Sequence, residues 1–145
     1  MRFRILVPKF KYLEVKEPPC PPFKKFTFPT DVYESFRFLK DEPKEHFITL
    51  HLNGSNKLVC IDIVSVGLAN RSLVHPREVF QSALLSSACA LILLHNHPSG
   101  EIQPSQDDFA VTRQLKEAGL VMGIKILDHV IIGEGYYSFN ENGHL

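Results

Sequence analysis

An α/β domain with helices packed on a mixed sheet is the fold class this sequence predicts, and three features predict it. Residues 89–94 (CALILL) form a short unbroken apolar run of the kind that fills a central strand. Upstream, Asn53-Gly54 lies between runs of alternating apolar residues, the signal of a β-hairpin. Two segments with helix-start chemistry, one opened by Pro76 and one by Ser105, flank the apolar run. Strands interleaved with helices bury their apolar faces best as layers around one sheet.

Taken in order, residues 1–29 read as an N-terminal arm and residues 30–145 as the folded domain. The arm begins with a basic, loosely alternating stretch, RFRILVPKFKYLEV, within which RFRILVPKFKY reads as a short, charged, partly exposed strand. EPPCPPF follows, where closely spaced prolines favour extended polyproline-like backbone. Asp31 with Glu34 three residues on resembles a capping box, and Val32, Phe36 and Leu39 recur at helical spacing, so a short helix is expected there. Ile48, Leu50 and Leu52 alternate into the Asn53-Gly54 turn and give the first strand, with LVCIDIV as the second. Pro76 suits a first helical position, and Val79, Phe80, Ala83 and Leu84 form an apolar face, so VHPREVFQSALLSSA is a helix ending near Ser87. After the CALILL strand and a polar loop, Ser105 caps a helix expected to stop at Gly119. IKILDHVIIG and YYSF complete the sheet.

With 145 residues, 44% of them hydrophobic, the chain can bury a core without disulfides. Lysine plus arginine and aspartate plus glutamate number 16 each, so no strong overall field draws the chain to nucleic acid or to an anionic membrane. The three cysteines, Cys20, Cys60 and Cys89, have no C-x-x-C spacing and read as reduced, mostly buried thiols of a cytoplasmic protein. No segment has the length and apolarity of a signal peptide or of a membrane span, which needs about 18 apolar residues.

The segment LHNHPSGEIQPSQDD, residues 94–108, carries the chemistry. His95 and His97 on extended backbone project from the same face, with α-carbons about 7 Å apart, and can converge on one ion. Asp108, in the first turn of the following helix, can close a third position. Two imidazoles and a carboxylate suit zinc, and three protein ligands leave a fourth place for water, the catalytic pattern. Iron, cobalt or manganese would also suit such a set. A base within reach of that water is then required.

These residues have a resemblance. H-N-H-P-S-G followed by P-S-x-x-D, with V-H-P-R-E-V-F upstream and L-D-H-V-I-I-G downstream, is similar to the RadC-like branch of the JAB/MPN (JAMM) metalloprotease superfamily, from about Glu45 to Leu145. The resemblance implies a cytidine-deaminase-like α/β/α fold, zinc held by His95, His97 and Asp108, and Ser105 stabilising an oxyanion. It also implies a general acid/base glutamate at the head of the first strand, where Glu45 stands. A one-residue slip would turn that carboxylate to the other face, and Asp62 and Glu78 are the fallbacks. The implied activity is hydrolysis of a peptide or isopeptide bond in a peptide or protein substrate. Alternatives are a nucleic-acid module, from the family's association with DNA repair, and a non-catalytic scaffold. Balanced charge and the lack of a recognisable helix-hairpin-helix in residues 1–44 weigh against the first, and the retained ligand set against the second.

Other polar residues have plainer readings. His129 reads as a satisfied strand histidine, and His75 and Arg77 as the cap and anchor of their helix. Ser105 and Asp108 also fit a capping box, a role that can coexist with metal binding.

Overall fold

A computed structural model describes residues 1–7, 9, 15–67 and 74–145. Its elements run α1 (Pro29–Phe36), a 3-10 helix (Arg37–Asp41), β1 (His46–Leu52), β2 (Leu58–Val66), α2 (Pro76–Leu85), β3 (Ala90–Asn96), α3 (Gln106–Met122), β4 (Lys125–Gly133) and β5 (Gly135–Ser138). The strands form one sheet in the order β2-β1-β3-β4-β5. β3 and β4 are parallel and every other neighbouring pair is antiparallel, so the sheet is mixed. A parallel pair needs a crossover, and α3 supplies it.

The expected α/β layering is present. One face of the sheet, through Ile48, Leu50, Leu52, Ile92, Leu94, Val130 and Ile132, packs against Val32 and Phe36 of α1 and Leu39 of the 3-10 helix. The other, through Phe47, Leu91, Leu93 and Ile126, packs against Val79, Phe80 and Ala83 of α2 and Val111 and Leu115 of α3. β1 lies inside the sheet, so its alternation marks only one of two buried faces: residues 47–52 are all buried. Polar His51 is accommodated on the α2 face by hydrogen bonds with Ser86 Oγ (2.6 Å) and Thr49 Oγ1 (3.0 Å).

The hairpin forms, with a longer loop than Asn53-Gly54 alone implies. Asn53 Oδ1 accepts from the backbone N–H of Ser55 (2.9 Å) and of Lys57 (3.1 Å), and Asn56 takes the left-handed conformation at φ 59°. The asparagine side chain organises the turn, as short polar side chains do. Near α1, Asp31 stands inside the helix: its carboxylate accepts from the N–H groups of Thr27 and Phe28 (both 2.9 Å), and Pro29 is the first helical residue. α2 is capped by His75, whose Nδ1 accepts from Arg77 N at 3.0 Å.

α3 continues past Gly119 to Met122 and is ended by Gly123 at φ 70°. Gly119 serves close packing: a Cβ there would lie 2.4 Å from the carbonyl oxygen of Ile124. Cys89, expected buried, is exposed, because the strand begins one residue later; Cys20 and Cys60 are half-buried and all three thiols are free. Residues 1–7 and 9 are exposed and lie in no strand. The rest of the RFRILVPKFKY expectation falls on residues 8 and 10–12, outside the described residues. Within the segment 1–29, Phe26 is buried in the core beside α1, and Lys25 bridges Lys57. Among the described residues no helix is long and apolar enough to cross a membrane.

Candidate metal centre

β3 extends through His95 to Asn96, and the backbone N–H of His97 still bonds Ile132 O of β4 (2.9 Å), so both histidines leave well-fixed backbone. Asp108 is the third residue of α3, held by a reciprocal capping box: Ser105 Oγ accepts from Asp108 N (3.1 Å), and Asp108 Oδ2 accepts from Ser105 N (2.8 Å). That cap turns the carboxylate back over the loop toward β3.

The three side chains meet. His95 Nε2 lies 3.0 Å from His97 Nε2 and 3.3 Å from Asp108 Oδ1, and His97 Nε2 lies 3.3 Å from Asp108 Oδ2. His95 and Asp108 are buried, and the His97 side chain retains 12% exposure. Burial opposes charge on Asp108, but the His95 and His97 rings set against the carboxylate, together with the hydrogen bond from Ser105 N, outweigh it and hold the carboxyl far below the ordinary carboxylate range. The imidazole of His97 is oriented by donation from Nδ1 to Glu101 O (2.7 Å), which leaves Nε2 as the nitrogen with a lone pair, an assignment made from the hydrogen-bond network. Donors in a tetrahedral zinc shell, with bonds of about 2.0–2.1 Å, stand about 3.3 Å apart. The Nε2–Nε2 separation, and the distance from each Nε2 to one carboxylate oxygen (Oδ1 for His95, Oδ2 for His97), lie near that spacing, and one donor atom from each residue lies within 4.8 Å of the others, a group that could hold a metal ion.

Glu45 stands one residue before β1, half-buried, with its carbonyl accepting from Gly67 N (2.7 Å). Phe47 pairs with His95 and stacks on its ring at 6.1 Å, so Phe47 lies on the ligand face. Two residues earlier, Glu45 has the same parity, opposite His97 when the register is continued. Asn96, between the two histidines, points to the other face and clamps this strand head: Oδ1 accepts from His46 N (2.7 Å) and Nδ2 donates to Lys44 O (3.1 Å). The fallback carboxylates are elsewhere. Asp62 accepts from Ser82 Oγ at 2.5 Å, and with Glu78 it lines a depression between β2 and α2 that includes none of the three ligands.

His129 has more than the strand role expected of it. Its Nε2 lies 2.7 Å from His95 Nδ1, and its Nδ1 lies 2.6 Å from Thr112 Oγ1. Nothing in L-D-H-V-I-I-G marks this, because the orientation depends on how β4 is registered against β3.

Comparison with known proteins places the chain in a family. The family described as RadC-like JAB domain matches residues 26–144. A UPF0758 protein of Pelobacter propionicus is 52% identical over 123 residues, covering 83% of this chain and 54% of that protein. One from Methanosarcina mazei is 47% identical over 124 residues, covering 84% of this chain and 54% of the relative. The chain therefore spans about half the length of the curated relatives it matches. With a match across nearly the whole folded region, and a mixed five-stranded sheet layered between helices, the chain belongs to the RadC-like JAB domain family.

Proposed function

We propose that this chain is a zinc-dependent hydrolase of peptide or isopeptide bonds, acting in the cytoplasm on a peptide or protein substrate. The observation that carries the reading is the convergence of His95, His97 and Asp108: the two Nε2 atoms are 3.0 Å apart, and each lies 3.3 Å from one oxygen of the Asp108 carboxylate. Three such donors leave a fourth position for water or substrate. A zinc ion held there supplies a polarised carbonyl and a water whose pKa is lowered to about 7.

The remaining steps belong to the chain's own residues. Glu45, on the ligand face by strand parity, takes the proton of the attacking water and passes it to the leaving amine. Asn96 holds the segment that carries Glu45 against β3. Ser105 Oγ uses a lone pair in the helix cap, accepting from Asp108 N, which leaves its hydroxyl proton to be donated to the developing oxyanion. Free thiols at Cys20, Cys60 and Cys89 favour a reducing compartment.

Elemental mass spectrometry on chelator-free protein tests the reading. About one zinc per chain is expected in the wild type, with loss in His97→Ala and Asp108→Ala. Glu45→Gln is expected to keep the metal and lose turnover on an amide-substrate panel. Wild-type protein that neither contains zinc nor takes it up would overturn the hydrolase.

A further inference from the structure

We propose that His129 and Thr112 form a one-way hydrogen-bond relay that fixes the tautomer of His95, so that the Nε2 lone pair of His95 is presented to the metal position. This rests on the metal-centre reading above, and it assigns His129 as a positioning residue that acts through His95.

The direction of the relay follows from its far end. Thr112 Oγ1 lies 2.6 Å from the backbone carbonyl oxygen of Asp108 and 2.6 Å from His129 Nδ1. A carbonyl only accepts, so the single hydroxyl proton of Thr112 is committed to Asp108 O. His129 Nδ1 must therefore be the donor in its contact with Thr112. A neutral imidazole has one donor and one acceptor, which makes His129 Nε2 the acceptor. His95 Nδ1, 2.7 Å away, must then donate, and His95 Nε2 carries the lone pair. That nitrogen faces His97 Nε2 and Asp108 Oδ1. His97 reaches the same tautomer in one step, through Glu101 O. For His95 the chain of donors ends instead on the backbone of Asp108, tying two ligands together through β3, β4 and α3.

The backbone is built to put His129 there. Between β3 and β4 the register shifts: Leu91 pairs with Ile126 but Ile92 pairs with Asp128, leaving Leu127 as an extra residue. Without it, the two-residue period would send His129 to the α1 face. With it, Ile126 and His129 both face α3, a bulge re-aiming a side chain. Asp128 secures the irregularity, accepting from His129 N (2.7 Å), Asn140 N (3.0 Å) and Ser138 Oγ (2.6 Å). The His129 ring is fully buried, stacked on Phe139 (4.8 Å, 12°) and met edge-on by Phe47 (5.6 Å, 66°). Partners that orient a ligating histidine typically change metal affinity about 10–100-fold when removed.

Two measurements test the relay. Zinc affinity by chelator competition is expected to weaken about 10–100-fold in Thr112→Val and to return to near wild type in Thr112→Ser, with thermal unfolding checking that each variant folds. Long-range 1H–15N correlation spectra, recorded on metal-free and zinc-loaded wild type, should show the His129 proton on Nδ1. Unchanged affinity in a folded Thr112→Val, or a His129 proton on Nε2, would overturn the relay while leaving the metal centre standing. Wild type that takes up no zinc would overturn the hydrolase, and the metal-free spectrum would then decide the relay by itself.

Discussion

Asn96 and His46 face one another across β3 and β1, and the asparagine side chain rather than the strand ladder alone binds the two at this end. Oδ1 accepts from His46 N at 2.7 Å and Nδ2 donates to Lys44 O at 3.1 Å, so one buried amide brackets Glu45 from both sides. A residue between the two histidines is thus spent on placing Glu45.

Under the proposed function, that bracket separates metal binding from turnover. Asn96→Ala leaves both backbone groups without their partner and is expected to cost about 1–3 kcal/mol of stability. Zinc content should stay at the wild-type level, because His95 and His97 leave the opposite face, while turnover falls about 100-fold or more as the base loses its position. Elemental analysis beside steady-state rates checks this; loss of zinc in a folded variant would show that Asn96 supports the ligands instead.

Ser105 caps α3, and different substitutions can divide that cap from the oxyanion role proposed for it. Ser105→Ala removes the cap of α3 and is expected to destabilise by about 1 kcal/mol, whereas Ser105→Gly, a tolerated N-cap, should cost only a few tenths. Both remove the hydroxyl donor and should lower kcat about 10²–10³-fold. Urea unfolding and rates on the two variants settle it: a glycine variant with full activity would leave Ser105 as a helix cap alone.

His51 gives stability a pH dependence apart from the metal centre. Burial against α2 pushes its pKa below the ordinary 6.5, opposed by the nearby Asp62 carboxylate, while Thr49 and Ser86 satisfy the two ring nitrogens. The folded value lies below the unfolded one, so the unfolded chain binds the proton first as pH falls. Stability is therefore fullest above 6.5 and declines as pH drops from 6.5 toward the folded value. Denaturant midpoints between about pH 7 and pH 5 should fall more steeply for wild type than for His51→Gln; parallel profiles would remove His51 from that account.

Much of the molecule was legible along the chain because its causes are local. Ser105 and Asp108 announce a cap three residues apart, Pro76 and His75 announce a helix start, and the apolar run ending at Leu94 announces a central strand that delivers two histidines at strand spacing. Family resemblance added the fold. Where the reading missed, a nearby residue had competed with a distant one: Gly119 reads as a helix stop, but its bare α-carbon admits the carbonyl of Ile124, and the stop is Gly123.

The sequence by itself determined the donor set of the candidate metal centre and the elements that carry it, since residue spacing, caps and hydrophobic period are properties of short segments. Only the tertiary structure decided which other side chains serve those ligands. His129 reaches His95 because one extra residue, Leu127, shifts β4 against β3, and Asn96 brackets Glu45 because β1 pairs with a strand some fifty residues later. Register between strands is set by the packing of both sheet faces at once, and a single-residue slip reverses every side chain.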